Sequence, residues 1–154
     1  MICDAKGVVA SWGNPDAVIF PRSSAKMIQA LPLIETGAAD ARGLTDRHLA
    51  LACASHEGAD LHVGMAGRWI ADLGLTEADL RCGAHEPDNR AERDRLIHAG
   101  EKPCQLHNNC SGKHSGFLTV TQHLKAVGVE GEGDHYPWKV YVNQFTGERT
   151  RPAV

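Results

Sequence analysis

Long apolar runs are missing from this sequence: none approaches the roughly 20 residues that a bilayer span requires, so a membrane-spanning helix is not expected. A strong charge of either sign is missing too. The formal net charge is −3 and the sequence pI about 6.3, which gives no electrostatic reason to expect nucleic acid or an anionic membrane as partner. The first residues, Met1 to Gly7, have no basic stretch followed by an apolar one, so they do not read as a secretory leader. Reduced thiols and a cytoplasmic location are the expectation that follows. Aromatic residues are few, with three Phe, three Trp and two Tyr, whereas His and Cys are plentiful at nine and five. The 154 residues, 42% of them hydrophobic, amount to one modest core and an ordinary globular composition. Five is an odd number of cysteines, so burial, metal binding or catalysis must divide them rather than a disulfide framework. Cys3 and Cys53 sit in apolar surroundings and read as small core residues, while Cys82, Cys104 and Cys110 lie in polar stretches.

The chain predicts a mixed, helix-rich α/β fold. A hairpin pairs Ile2-Cys3-Asp4 with Val8 to Trp12 across Ala5-Lys6-Gly7, and Ala17 to Phe20 reads as a short strand. Met27, Ile28, Leu31 and Ile34 form a helical stripe interrupted by Pro32, which should kink or end it. Thr45 caps a short helix through Ala52. Leu61, Met65, Trp69 and Leu73 recur every fourth residue of another, and Thr76-Glu77-Ala78-Asp79 starts a further turn. Asn89 to His98 reads as a charged, solvent-facing helix, and Ser111 to Val127 as the last helix, with Phe117, Leu118, Val120 and Leu124 on its apolar face. Trp138 to Phe145 fits a strand or a short helix.

Three segments could carry chemistry. In Arg22-Ser23-Ser24-Ala25-Lys26, Lys26 lies one turn beyond Ser23 and can act on its hydroxyl as a general base if desolvated; a cap followed by a solvated lysine is the plainer alternative. In Cys53-Ala54-Ser55-His56, Ser55 could relay protons and His56 could bind substrate, or Ser55 could simply cap the next helix. In Asn109-Cys110-Ser111-Gly112-Lys113-His114, the spacing of Cys110 and Lys113 lets both converge on one point, and a helix start beside Lys favours thiolate. A rival grouping, Cys82-x2-His85 with Cys104-x2-His107, has the spacing of a zinc knuckle pair and would make the chain a zinc-binding interaction module.

The ordered set of these motifs, with Gly13-Asn14-Pro15, Leu33-Ile34-Glu35-Thr36 and Leu80-Arg81-Cys82-Gly83-Ala84-His85, resembles the asparaginase II family of the Rhizobium etli inducible type over roughly residues 3–125. The resemblance implies the serine β-lactamase and glutaminase-like fold, of which this chain would be an N-terminal portion: residues 1–128 a partial domain, 129–154 a divergent tail. It implies hydrolysis of L-asparagine to L-aspartate and ammonia, with Ser23 the nucleophile, Lys26 its base and Ser55 part of a second Ser/Lys tandem. Arg22 would hold the substrate carboxylate, and His114, beside Cys110 and Lys113, would be a second substrate-binding residue. Zinc would take Cys110 and Lys113 as two of its three ligands. The third ligand, a Cys in an Asp-Gly-Cys segment, and the second tandem's Lys have no counterpart in residues 126–154. The expectation is therefore a truncated hydrolase, homodimeric if complete, with a non-catalytic remnant as the other outcome. Uncovered apolar faces such as Val8-Val9 and Val18-Ile19 should accompany truncation.

Overall fold

Helix α6, Ser111–Ala126, is the element on which the others converge, and its sequence explains how. Its buried face is built of Ser111, Gly112, Ser115, Gly116 and Thr119, residues small enough for neighbouring helices to come close to its backbone. A Cβ added at Gly112 would stand 2.5 Å from both the Cγ and the carbonyl oxygen of Leu51. The hydroxyls on this face are consumed internally, Ser115 Oγ donating to Ser111 O at 3.0 Å and Thr119 Oγ1 to Ser115 O at 2.8 Å, so a polar face can be buried without unmet hydrogen bonds. The computed structural model describes residues 1–18 and 20–128. Among them α6 packs against α1 (Lys26–Glu35), α2 (Ala38–Ala41), α3 (Asp46–Cys53) and α4 (Asp60–Asp72). Leu33, Ala39, Leu51, Ala52, Ala66, Trp69 and Leu73 form the core between them. Trp69 is 1% exposed, and its indole N–H donates to Thr119 Oγ1 at 3.0 Å, which ties α4 to α6.

Caps and breaks account for most boundaries. Thr45 and His48 form a reciprocal capping box at the start of α3, and Thr76 with Asp79 forms another on the 3₁₀ turn Glu77–Asp79. The Asn89 side chain accepts from Glu92 N and opens α5, Arg90–Ala99, which ends on Gly100 in the left-handed conformation. Pro32 does not stop α1, which continues to Glu35; the Pro32 carbonyl takes the Thr36 N–H at 3.2 Å and its hydroxyl at 2.6 Å. Helix α5 is not wholly solvent-facing as its charge suggests, because Glu92 and Leu96 are buried. Along α4, Trp69 and Leu73 are buried but Leu61 is two-thirds exposed.

The hairpin forms as expected, β1 (Ile2–Asp4) antiparallel to β2 (Gly7–Ala10), with Cys3 opposite Val8 and an irregularity between Ile2 and Cys3. Cys3 is exposed rather than a core residue, and Cys53 is half-buried. Ala17, Val18 and Phe20 form no strand, and Ile19 lies outside the described residues. Val8, Val9, Trp12, Val18 and Phe20 are exposed, as are Met27, Ile28, Leu31 and Ile34 on one face of α1, so the N-terminal quarter of the chain exposes many large apolar side chains. The element expected over 138–145 lies outside the described residues. No helix among the described residues is long and apolar enough to cross a membrane.

Candidate active site

Lys26 is the first residue of α1 and has no exposed surface. Its Nζ donates to Ala54 O at 2.7 Å, Ser55 Oγ at 2.8 Å and Asn109 O at 3.1 Å. Three oxygens match the three N–H bonds of an ammonium group, and hydrogen bonds from a charged donor are the strong kind. Each acceptor is delivered by a break in a helix. Helix α3 ends at Cys53 and Ala54 turns extended, which frees its carbonyl and sets Ser55 beside Lys26. Ser55 is thus a Lys26 partner and not a cap, since α4 starts after Ala59. Asn109 precedes α6 in a loop held by Asn108, whose Nδ2 donates to Cys82 O at 2.9 Å and whose Oδ1 accepts the Cys110 N–H at 2.9 Å.

Ser23 lies on the 3₁₀ turn Arg22–Ala25 directly ahead of Lys26. Its carbonyl accepts the Lys26 backbone N–H, and its hydroxyl is exposed with no partner among the described residues. Arg22 has φ 47°, a left-handed backbone that costs a non-glycine residue about 1 kcal/mol or more. Such strain, absent from any sequence signal, sets the chain direction into the Ser23–Lys26 turn.

Behind this cluster the helix start at Ser111 is lined with titratable groups. His56 is buried; its Nδ1 accepts the Gly58 N–H at 3.1 Å and its Nε2 meets Ser111 Oγ at 2.9 Å, so both nitrogens serve the protein. Burial, with the charges of His62, Lys26 and His107, pushes His56 down to about 4. Gly58 has φ 72°, and a Cβ there would meet Pro87 at 2.8 Å and the His107 carbonyl at 2.9 Å, so glycine is required. His114 is also buried, and its burial, with Lys113 and Lys26 nearby, takes it down to about 3; its imidazole is neutral at ordinary pH.

Cys110, Lys113 and Cys82 lie close enough to influence one another's charge. Burial lowers Lys113 to about 8, opposed by the negative charge Cys110 carries when ionised, and burial raises Cys82 to about 12. The fall of Lys113 favours its neutral, electron-donating form, whereas the rise of Cys82 keeps that sulfur as a thiol. Sequence reasoning missed Cys82 as a neighbour of this pair, and also Asn108, whose position before a helix start was the available signal. The quartet Cys82, His85, Cys104 and His107 does not assemble. His85 is exposed, Cys104 and His107 contact each other, and His107 turns its other nitrogen to Glu92 at 3.3 Å. Among the described residues no three His, Cys, Asp or Glu side chains are grouped to hold a metal. A cavity of about 440 Å³ between α3 and α4, lined by Arg47, His62, Arg68 and Ala54 among others, touches this region at Ala54.

Residues 1–138 match the family model for L-asparaginase II. No curated protein matches the chain.

Proposed function

The chain belongs to the L-asparaginase II family, and from that premise we propose that it hydrolyses the side-chain amide of L-asparagine through a serine nucleophile, Ser23. The observation that carries this reading is the position of Lys26, buried and within hydrogen-bond reach of Ser55 while its backbone N–H binds the Ser23 carbonyl. Ser23 Oγ attacks the amide carbon, its proton passing to the Lys26 and Ser55 pair. Ammonia then leaves with a proton returned by that pair, and water releases L-aspartate from the acyl-serine by the same steps in reverse order. To act as base Lys26 must first shed a proton, which its contact with Ser55 Oγ lets it pass outward. Arg22, set at the mouth of the turn by its strained backbone, is suited to a bidentate grip on the substrate α-carboxylate. A neutral His114 in the same buried cluster contributes a hydrogen-bonding group without adding positive charge.

Cys110 and Lys113, with Cys82 beside them, would hold zinc. When bound, the metal would supply a fixed positive charge that orients the substrate. A complete enzyme of this kind would act as a homodimer. The test is ammonia release from L-asparagine, with L-glutamine in parallel, by the wild-type chain and by Ser23→Ala. Loss of about 10³-fold or more in Ser23→Ala is the expected result. Wild-type rates retained in that variant would remove Ser23 as nucleophile, and no release by the wild type would leave a non-catalytic member of the family.

A further inference from the structure

Cys104, His107 and Glu92 form a second chemical grouping, separate from the Lys26 cluster. Cys104 precedes the 3₁₀ turn Gln105–His107, and the turn folds the His107 ring back over it. His107 Nδ1 accepts the Cys104 backbone N–H at 3.0 Å and lies 3.2 Å from Cys104 Sγ. Nδ1 is therefore the lone-pair nitrogen, and the ring proton sits on Nε2, which donates to Glu92 Oε1 at 3.3 Å. Glu92 is buried on α5 and kept charged first by the Arg95 guanidinium, which grips it through Nε and Nη2 at 2.8–3.1 Å. Both Glu92 and His107 are 5% exposed, whereas Cys104 keeps some access to solvent.

A helix cap needs only the acceptor at Nδ1. It does not need a buried carboxylate behind Nε2, and that carboxylate does what the acid of a nucleophile–histidine–acid triad does: it fixes the tautomer and orients the ring toward the nucleophile. We propose that Cys104 is a peroxide-reactive modification site, its thiol activated by His107 and its histidine positioned by Glu92. The Sγ proton passes to His107 Nδ1 as sulfur attacks the terminal oxygen of a hydroperoxide. The S–O bond forms, the O–O bond breaks, and the departing oxygen takes the proton from His107. Sulfur is oxidised by two electrons to a sulfenic acid, and the hydroperoxide is reduced to an alcohol, or to water when it is hydrogen peroxide. Cys3 provides an internal reference, an exposed thiol with no histidine beside it among the described residues.

The experiment treats the whole chain with limiting hydrogen peroxide, traps sulfenic acid with dimedone and maps the labelled peptides over time. Cys104 should label about tenfold faster than Cys3 despite its lower exposure. His107→Asn keeps an oxygen that can cap the Cys104 N–H but removes the base, so labelling should fall to the Cys3 rate or below. Glu92→Gln keeps the acceptor but not the charge and should give an intermediate rate. Cys104 labelling no faster than Cys3 in the wild type overturns the proposal whatever the variants do. An unchanged Cys104 rate in a folded His107→Asn, or in Glu92→Gln should the first variant not fold, overturns it equally.

Discussion

Replacing Gly112 by alanine adds one methyl group where α6 lies against the Leu51 backbone of α3. The new Cβ would stand 2.5 Å from the Leu51 Cγ, 2.5 Å from the Leu51 carbonyl oxygen and 2.8 Å from its carbonyl carbon. The Leu51 side chain could rotate away, but two of the three atoms are backbone. Ordinary contact needs about 3.4 Å or more, so α3 and α6 must separate by about 1 Å. That motion loosens Leu51 and Ala52 in the core and draws Asn109 O away from Ala54 O, the two carbonyls that grip Lys26. Overpacking of this kind costs about 3 kcal/mol, and alanine returns up to about 1 kcal/mol of helix propensity, leaving a net loss of about 2 kcal/mol. In thermal unfolding followed by circular dichroism this corresponds to a fall in Tm of about 6 °C. Gly67→Ala is the control, because its Cβ would meet only Leu106 Cδ1 at 3.5 Å, an ordinary contact from α4 to the 3₁₀ turn Gln105–His107. That variant should match the wild type or exceed it by a few tenths of a kcal/mol. Equal stability of the two variants would refute the close approach of α3 and α6 and the account of how Lys26 is held.

Three further outcomes follow from named groups. His56 resists protonation in the folded chain down to about 4 but takes a proton near 6.5 when unfolded, so stability falls as pH drops through that window and is fully present above it. Allowing for screening by solvent, His56 should account for a loss of about 1 kcal/mol between about pH 7 and pH 5, measured by urea unfolding; an equal loss in His56→Gln would show that other groups are responsible. Thr119→Val keeps shape but strands the buried indole N–H of Trp69, at a cost of about 1–2 kcal/mol that should largely vanish in a Trp69→Phe background; additive costs in that cycle would contradict the hydrogen bond. Arg22→Gly relieves a left-handed backbone and should raise stability by up to about 1 kcal/mol while lowering kcat/KM for L-asparagine about tenfold or more, and a less stable variant would deny the strain.

What could be read in advance, and what could not, divides along physical lines. The caps at Thr45, Thr76 and Asn89 are local chemistry, so the elements they open were legible from adjacent residues. Lys26 and Ser55 were legible as candidates by residue type, but their meeting depends on α3 ending at Cys53, a tertiary matter that let Ser55 pass equally well for a cap. The polar part of the buried face of α6 was missed because hydrophobic periodicity points only to Phe117, Leu118 and Val120. Phe117 is buried and Leu118 and Val120 pack against the core, but Ser111, Ser115 and Thr119 are buried as well because their polar groups are spent within the protein, and no apolarity scale registers that. Glu92 was assigned to solvent by its charge, and only the facing Arg95 and His107 make its burial tolerable. Cys82 joined the Cys110 and Lys113 neighbourhood through Asn108, a contact between segments that share no local pattern.

The outer stripe of α1, Met27, Ile28, Leu31 and Ile34, is an exposed apolar face, and a species that covers it turns stability into a mass-action quantity. Whatever covers that face binds the folded chain and not the unfolded one, so the folded population rises with the concentration of the covering species. If a second copy does so, the unfolding midpoint climbs with protein concentration. Two variants compared at unequal concentration would then differ even when their folds are equally stable. The apolar stripe on the same helix that carries Lys26 thus sets the reference against which every substitution in the polar cluster is measured.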